Sequence, residues 1–194
     1  VGLGECFIVD GLSSALVILS LTRMNPAELH PAPSVSRAKG QLVAGFRYVR
    51  SSATLSTLLA MMAIVGMLTY EFSVILPLLA EFTFGSSASG YAALTAAMGA
   101  GSVVGGLYAA SRRGSSPRKL ALISACFGAA VWLVAISPTL ILAVAGMVIV
   151  GFFSINFTSL GNVALQLEAR PDMQGRVMAL YSVAFFGTTP IGGP

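Results

Sequence analysis

The sequence predicts an all-α, polytopic membrane protein, and three observations lead to this fold class. Hydrophobic residues make up 56% of the 194 residues and charged residues only 9%, whereas about 25% of residues are charged in a typical soluble domain. The apolar residues form runs of the roughly 20 residues that a spanning helix needs. No run alternates with the two-residue period of a membrane β-barrel. An ordinary soluble enzyme and a nucleic-acid-binding protein are therefore excluded.

Six apolar runs are the candidate spans. They cover residues 1–21, 55–79, 90–110, 120–136 and 140–160, and a last run that begins at residue 177. The Ser137-Pro138 pair separates the fourth run from the fifth. Each run is expected to be helical, because a helix satisfies its own backbone hydrogen bonds in lipid.

The basic residues predict the orientation of these spans. All 11 lysines and arginines lie in the first, third and fifth connections, at 22–54, 111–119 and 161–176. The second and fourth connections, 80–89 and 137–139, contain none. Because loops rich in Lys and Arg stay in the cytoplasm, the odd-numbered connections are predicted to be cytoplasmic. The expected location is the cytoplasmic (inner) membrane, crossed several times.

The long first connection contains an amphipathic element. Prolines occupy its first part, and from residue 36 a helical pattern follows. Leu42, Phe46 and Val49 fall at i, i+4 and i+7, with basic residues around them. This pattern predicts a short helix on the inner membrane surface, with membrane lipid as its partner. A plain solvated linker helix is the alternative. The single histidine, His30, has no predicted partner, so no metal site is expected.

Three acidic residues lie in the predicted spans: Glu5, Asp10 and Glu71. A charge near the middle of the bilayer costs about 2.5–3.5 kcal/mol on insertion scales, so each acid is a candidate functional residue. Asp10 lies nearest the middle of its span and is the first candidate for proton coupling. For Glu5 and Glu71, a solvated helix end explains the acid equally well. Asn156, in the fifth span, either lines a transport path or hydrogen-bonds a neighbouring helix.

The glycine-rich segment of the third span predicts close helix packing. Gly101 and Gly105 form a small-xxx-small pair, which allows two membrane helices to approach closely. A dinucleotide-binding loop is rejected, because that loop needs a preceding strand and a wet phosphate site. The sequence shows no Ser/His/Asp, Cys/His or metal-ligand cluster. We therefore expect neither an enzyme nor a cofactor.

Four groups of residues resemble the major facilitator superfamily, in its drug- and siderophore-exporting branch. GFRYVR at 45–50 and ILPLLA at 75–80 resemble the entry and the outer end of that family's seventh helix. GYAALTAAMGAGS at 90–102 resembles the start of its eighth helix. NVALQ at 162–166, with GRVMALY at 175–181 and PIG at 190–192, is the most specific combination.

The resemblance implies a fragment that runs from the sixth helix into the eleventh. Residues 1–22 would be the last helix of the N-terminal half, 23–54 the central cytoplasmic loop, and 55–194 most of the C-terminal helix bundle. The partner would be the missing N-terminal half, since the family rocks two halves around a midplane site. The implied function is proton-coupled efflux of an amphipathic small molecule. The alternatives are a solute uptake permease and a non-transporting membrane scaffold or assembly subunit.

Two cytoplasmic loops are implied by the resemblance to act as gates. The first contains Arg112, Arg113 and Gly114, with Ser111 in the place of the family's aspartate. The second contains Asp172, Gly175 and Arg176 in an Asp-x-x-Gly-Arg arrangement.

Overall fold

A computed structural model describes residues 3–25, 41–69, 72–86, 88–111 and 116–186. The chain divides into two compact units, Val1–Arg37 and Ala38–Pro194. The predicted all-α membrane fold is confirmed across the described residues.

The first unit contains one described helix, α1, which runs from Leu3 to Thr22. It corresponds to the predicted first span. Its apolar part in the described residues, Phe7–Thr22, is shorter than the four candidate spans of the second unit. The side chains of Glu5 and Asp10 are both exposed within this unit.

The second unit is built from helices joined by short connections. They are α2 (Gln41–Ser51), α3 (Ala53–Thr69), α4 (Phe72–Leu78), a π-helical turn (Leu79–Thr83), α5 (Ala88–Ser111), α6 (Pro117–Ala135), α7 (Leu140–Glu168) and α8 (Gln174–Phe186).

Four helical segments in the described part of the chain are long and apolar enough to cross a membrane. They are Ala53–Thr83, Ala88–Ser111, Pro117–Ala135 and Leu140–Glu168. They correspond to the second, third, fourth and fifth predicted spans. The first of them includes residues 70 and 71, which lie outside the described residues. The predicted sixth span is described only as far as Phe186, as α8.

Helix α7 is the centre of the second unit. It packs along α5 on one flank and along α6 on another, and it also contacts α3 and α8. Gly101 of α5 lies against Val148, and Gly105 lies against Phe152 and Ile155. Later residues of α5 contact later residues of α7, so the two helices run parallel. We call the end where α5 and α7 finish the basic end, because Arg118, Lys119 and Arg170 lie there.

Helix α7 extends beyond the predicted end of the fifth span. The sequence places that end at residue 160, but α7 continues to Glu168. Ala164 and Leu165 are buried, in an apolar cluster with Met62 and Val177. This cluster supports two further helical turns beyond the polar residues that end the apolar run. The predicted connection 161–176 is therefore reduced to residues 169–173.

Candidate functional site

The crossing of α5 and α7 is a contact between two backbones. A Cβ atom on Gly101 would overlap the carbonyl group of Val148. A Cβ atom on Gly105 would lie 2.6 Å from the Phe152 carbonyl oxygen. On the other helix, a Cβ atom on Gly151 would overlap the Met98 carbonyl oxygen. Glycines on both helices therefore permit the approach, as in other small-residue membrane interfaces.

Two polar side chains join the same pair of helices. The Ser102 hydroxyl donates to the Gly151 carbonyl oxygen at 3.2 Å. The Asn156 amide nitrogen donates to the Gly105 carbonyl oxygen at 3.2 Å and to the Phe152 carbonyl oxygen at 2.7 Å. Asn156 is only 4% exposed. The bond to Gly105 holds α5 against α7, and the bond to Phe152 lies within α7.

A cavity of about 320 Å³ lies beside Asn156, between α5, α6 and α7 at the basic end. Its apolar wall includes Leu122 and Val163. Its polar lining is formed by Tyr108, Lys119, Asn156 and Ser159. This volume lies within the range of roughly 300–1,000 Å³ that small-molecule sites occupy.

The helix that follows the long connection is docked at the basic end. The Tyr48 hydroxyl of α2 accepts the Arg170 backbone N–H at 3.1 Å. Gly45 packs so closely that its Cβ atom would lie 3.1 Å from Cβ of Arg176, at the start of α8. Val49 is buried in the same region. The residues preceding α3 thus form part of the second unit.

The turn between α7 and α8 contains the second predicted gate loop. Asp172 forms an ion pair with Arg170 at 3.2 Å, and both side chains are largely exposed. Exposed pairs of this kind contribute about 0–1 kcal/mol. The Arg176 guanidinium lies 3.3 Å from the Met173 sulfur. Gly175 is exposed, and a Cβ atom there would meet nothing within 4 Å. The turn therefore places Arg170, rather than Arg176, beside Asp172.

The comparison with protein families decides the class of the molecule. The sequence model of the transmembrane secretion effectors matches residues 1–194, which is the whole chain. The chain belongs to this family of the major facilitator superfamily. No curated protein and no solved structure is significantly similar to it. The chain is thus part of a multi-pass membrane protein of a transporter family.

The remaining candidates belong to the first unit or lie outside the described residues. Glu5 and Asp10 belong to the first unit. Glu71 and the predicted gate residues Arg112, Arg113 and Gly114 lie outside the described residues. Within the described ranges, no group of three or more His, Cys, Asp or Glu residues could hold a metal ion.

Sequence reasoning did not single out Glu81 as a site residue. Glu81 lies in the π-helical turn that follows α4. It lines a cavity of about 480 Å³ together with Pro77, Ser86 and Tyr91. Single π-helical turns frequently mark functional sites. The sequence signal that could have identified Glu81 is Pro77, which interrupts an apolar helical pattern four residues earlier.

Proposed function

We propose that the chain is part of a secondary active transporter that exports amphipathic small molecules, of drug or siderophore type, in exchange for protons. The family to which it belongs is described as transmembrane secretion effectors, and this description supports outward transport. The cytoplasmic membrane is the proposed location, since a proton gradient across that membrane would drive the exchange.

Asp10 is the residue that most supports proton coupling. It is exposed on α1 and lies within the apolar stretch Phe7–Thr22. An acidic side chain in such a helix must face water, a partner or a proton. A carboxyl group that binds and releases a proton at mid-membrane depth can couple proton entry to the movement of a substrate. The N-terminal half, to which α1 would belong, would supply the water or the partner that Asp10 needs.

The Asp10→Asn variant tests the coupling. It keeps the shape of the side chain but removes the titratable group. Everted membrane vesicles that contain the full-length transporter are given an imposed pH gradient, and accumulation of a fluorescent amphipathic amine is measured. We expect the variant to reach the membrane in normal amount. Its proton-driven accumulation rate should fall by at least about tenfold, because the side chain can no longer bind and release a proton.

Ser14→Ala is the matched control, because Ser14 is a polar, exposed residue on the same helix with no titratable group. It should transport like the wild type. If Asp10→Asn also transports like the wild type across a series of imposed pH gradients, Asp10 has a structural role and the proposed coupling site is wrong. Glu71 is then the next residue to test.

A further inference from the structure

We propose that the cavity between α5, α6 and α7 at the basic end binds an anionic phospholipid of the cytoplasmic leaflet, with its phosphate near Lys119 and the start of an acyl chain against Leu122 and Val163. The proposal does not depend on the direction or coupling of transport proposed above.

The charge of the cavity favours an anion. Lys119 is the basic residue of the lining, and the lining residues include no Asp or Glu. Arg118 precedes it in the same exposed first turn of α6. The anionic inner leaflet attracts each nearby Lys or Arg with about 1 kcal/mol. A phosphate group held at this depth therefore meets a favourable potential.

The apolar wall favours a lipid over a small soluble anion. Leu122 is 66% exposed and Val163 is 45% exposed at this cavity. Helices α5 and α6 both pack against α7 but have few contacts with each other. The cleft between them therefore opens to the side of the helices, where the surrounding medium in a membrane is hydrocarbon. Exposed apolar side chains there are stabilised by contact with an acyl chain.

The polar groups fit a headgroup at the mouth of this cleft. Tyr108 and Ser159 line the cavity, and the Ser159 hydroxyl can donate a hydrogen bond to a phosphate oxygen. Asn156 lies at the floor, where its amide nitrogen is already bonded to Gly105 and Phe152. A cation, a hydroxyl group and an apolar wall in one cleft match the three parts of an anionic phospholipid.

A tryptophan reporter tests the proposal in the full-length protein. Trp132 is the one tryptophan of this sequence. It is replaced by Phe, as is any tryptophan in the rest of the full-length protein, and Leu122→Trp then places a single reporter in the cavity wall. The protein is reconstituted in phosphatidylcholine vesicles that contain a minor fraction of brominated phosphatidylglycerol or, separately, of brominated phosphatidylcholine. We expect the anionic lipid to quench the reporter with about fivefold higher apparent affinity. The neighbouring reporter Ala121→Trp, which is exposed but does not line the cavity, should show no such preference.

Two pairs of variants separate the site from general lipid contact. Lys119→Gln should abolish the preference, whereas Arg118→Gln should keep it, since Arg118 does not line the cavity. Ala109→Phe should fill the cavity and abolish the preference, whereas Ala110→Phe should not. Equal quenching by the two brominated lipids, or a preference that survives Lys119→Gln and Ala109→Phe, would overturn the proposal. Displacement of the brominated lipid by glycerol phosphate would also overturn it, because a headgroup alone would then be the ligand.

Discussion

At the residue scale, the glycines of α5 differ sharply in what surrounds them. Gly101 and Gly105 lie against the backbone of α7, whereas Gly99 and Gly106 have open space where a Cβ atom would stand. Adjacent glycines of one helix thus have different roles, which depend on the face of α5 that each occupies. The same surface of α7 uses Asn156 to bind the Gly105 carbonyl oxygen.

This difference predicts the effect of enlarging each glycine. Gly101→Leu and Gly105→Leu must push α5 away from α7, and overpacking of this kind destabilises by about 1–3 kcal/mol. We expect a lower folded yield and a lower thermal unfolding midpoint in detergent. Gly99→Leu and Gly106→Leu are the controls and should behave like the wild type. Equal melting of all four variants would show that the α5–α7 contact does not support the fold.

At the scale of the element, α2 and the start of α3 form a fixed elbow on the second unit. The Ser56 hydroxyl of α3 donates to the Val49 carbonyl oxygen of α2 at 2.7 Å. The Ser52 hydroxyl between the helices accepts the Leu55 N–H at 3.3 Å. Gly45 and Tyr48 contact the α7–α8 turn and α8 on one side of α2, while Leu42 and Phe46 remain exposed. We propose that this exposed side faces the inner membrane surface.

The docked elbow predicts a specific cross-link. Cysteines at Gly45 and Arg176 should form a disulfide under mild oxidation, since their Cβ atoms would be 3.1 Å apart and a disulfide needs about 3.5–4.5 Å. A small local shift of the two helices is enough to bring the Cβ atoms to the distance that a disulfide needs. Oxidation should leave the transport rate of this double-cysteine variant at the level of its reduced form, because α2 and α8 belong to the same unit.

Val43→Cys with Arg176→Cys is the matched control, since Val43 is exposed and lies about 200° around the helix from Gly45. This pair should not cross-link. A Gly45–Arg176 disulfide that forms but stops transport would mean that α2 must leave α8 during the transport cycle.

The helices could be predicted from the sequence more fully than their ends. Helix α5 begins and ends within two residues of the predicted span, because the helix and its apolar run end at nearly the same residues. Helix α7 continues past its apolar run, since Ala164 and Leu165 pack against other helices. Hydropathy along one chain segment does not report such contacts. The cavity beside Lys119 was also missed, because it exists only where three helices meet.

Among the site residues, the sequence indicated chemistry but not neighbours. The pattern placed Asp172 and Arg176 in one motif and named no partner for Asp172, which pairs with Arg170. The pattern also left two explanations open for Asn156, and its bonds to two backbone carbonyl groups account for its burial. No local pattern encodes what surrounds Asp10 in the intact transporter.

At the scale of the whole molecule, the basic residues and the helix directions lead to one orientation. The basic end of the second unit includes the end of α7, the start of α8 and the first turn of α6. The opposite end includes the π-helical turn and the connection at 136–139. Under the positive-inside rule the basic end faces the cytoplasm. The proposed lipid site, the membrane contact of α2 and the direction of export all require this orientation.

Accessibility of single cysteines in intact cells measures that orientation most directly. All native cysteines of the full-length protein, including Cys6 and Cys126, are replaced. A single cysteine is then introduced in one of two places: at Thr83, the end of the π-helical turn, or at Glu168, the end of α7. Both positions are exposed. The predicted result is that a membrane-impermeant thiol reagent labels the cysteine at 83 in intact cells and the cysteine at 168 only after permeabilisation. Labelling at 168 but not at 83 in intact cells would contradict the orientation.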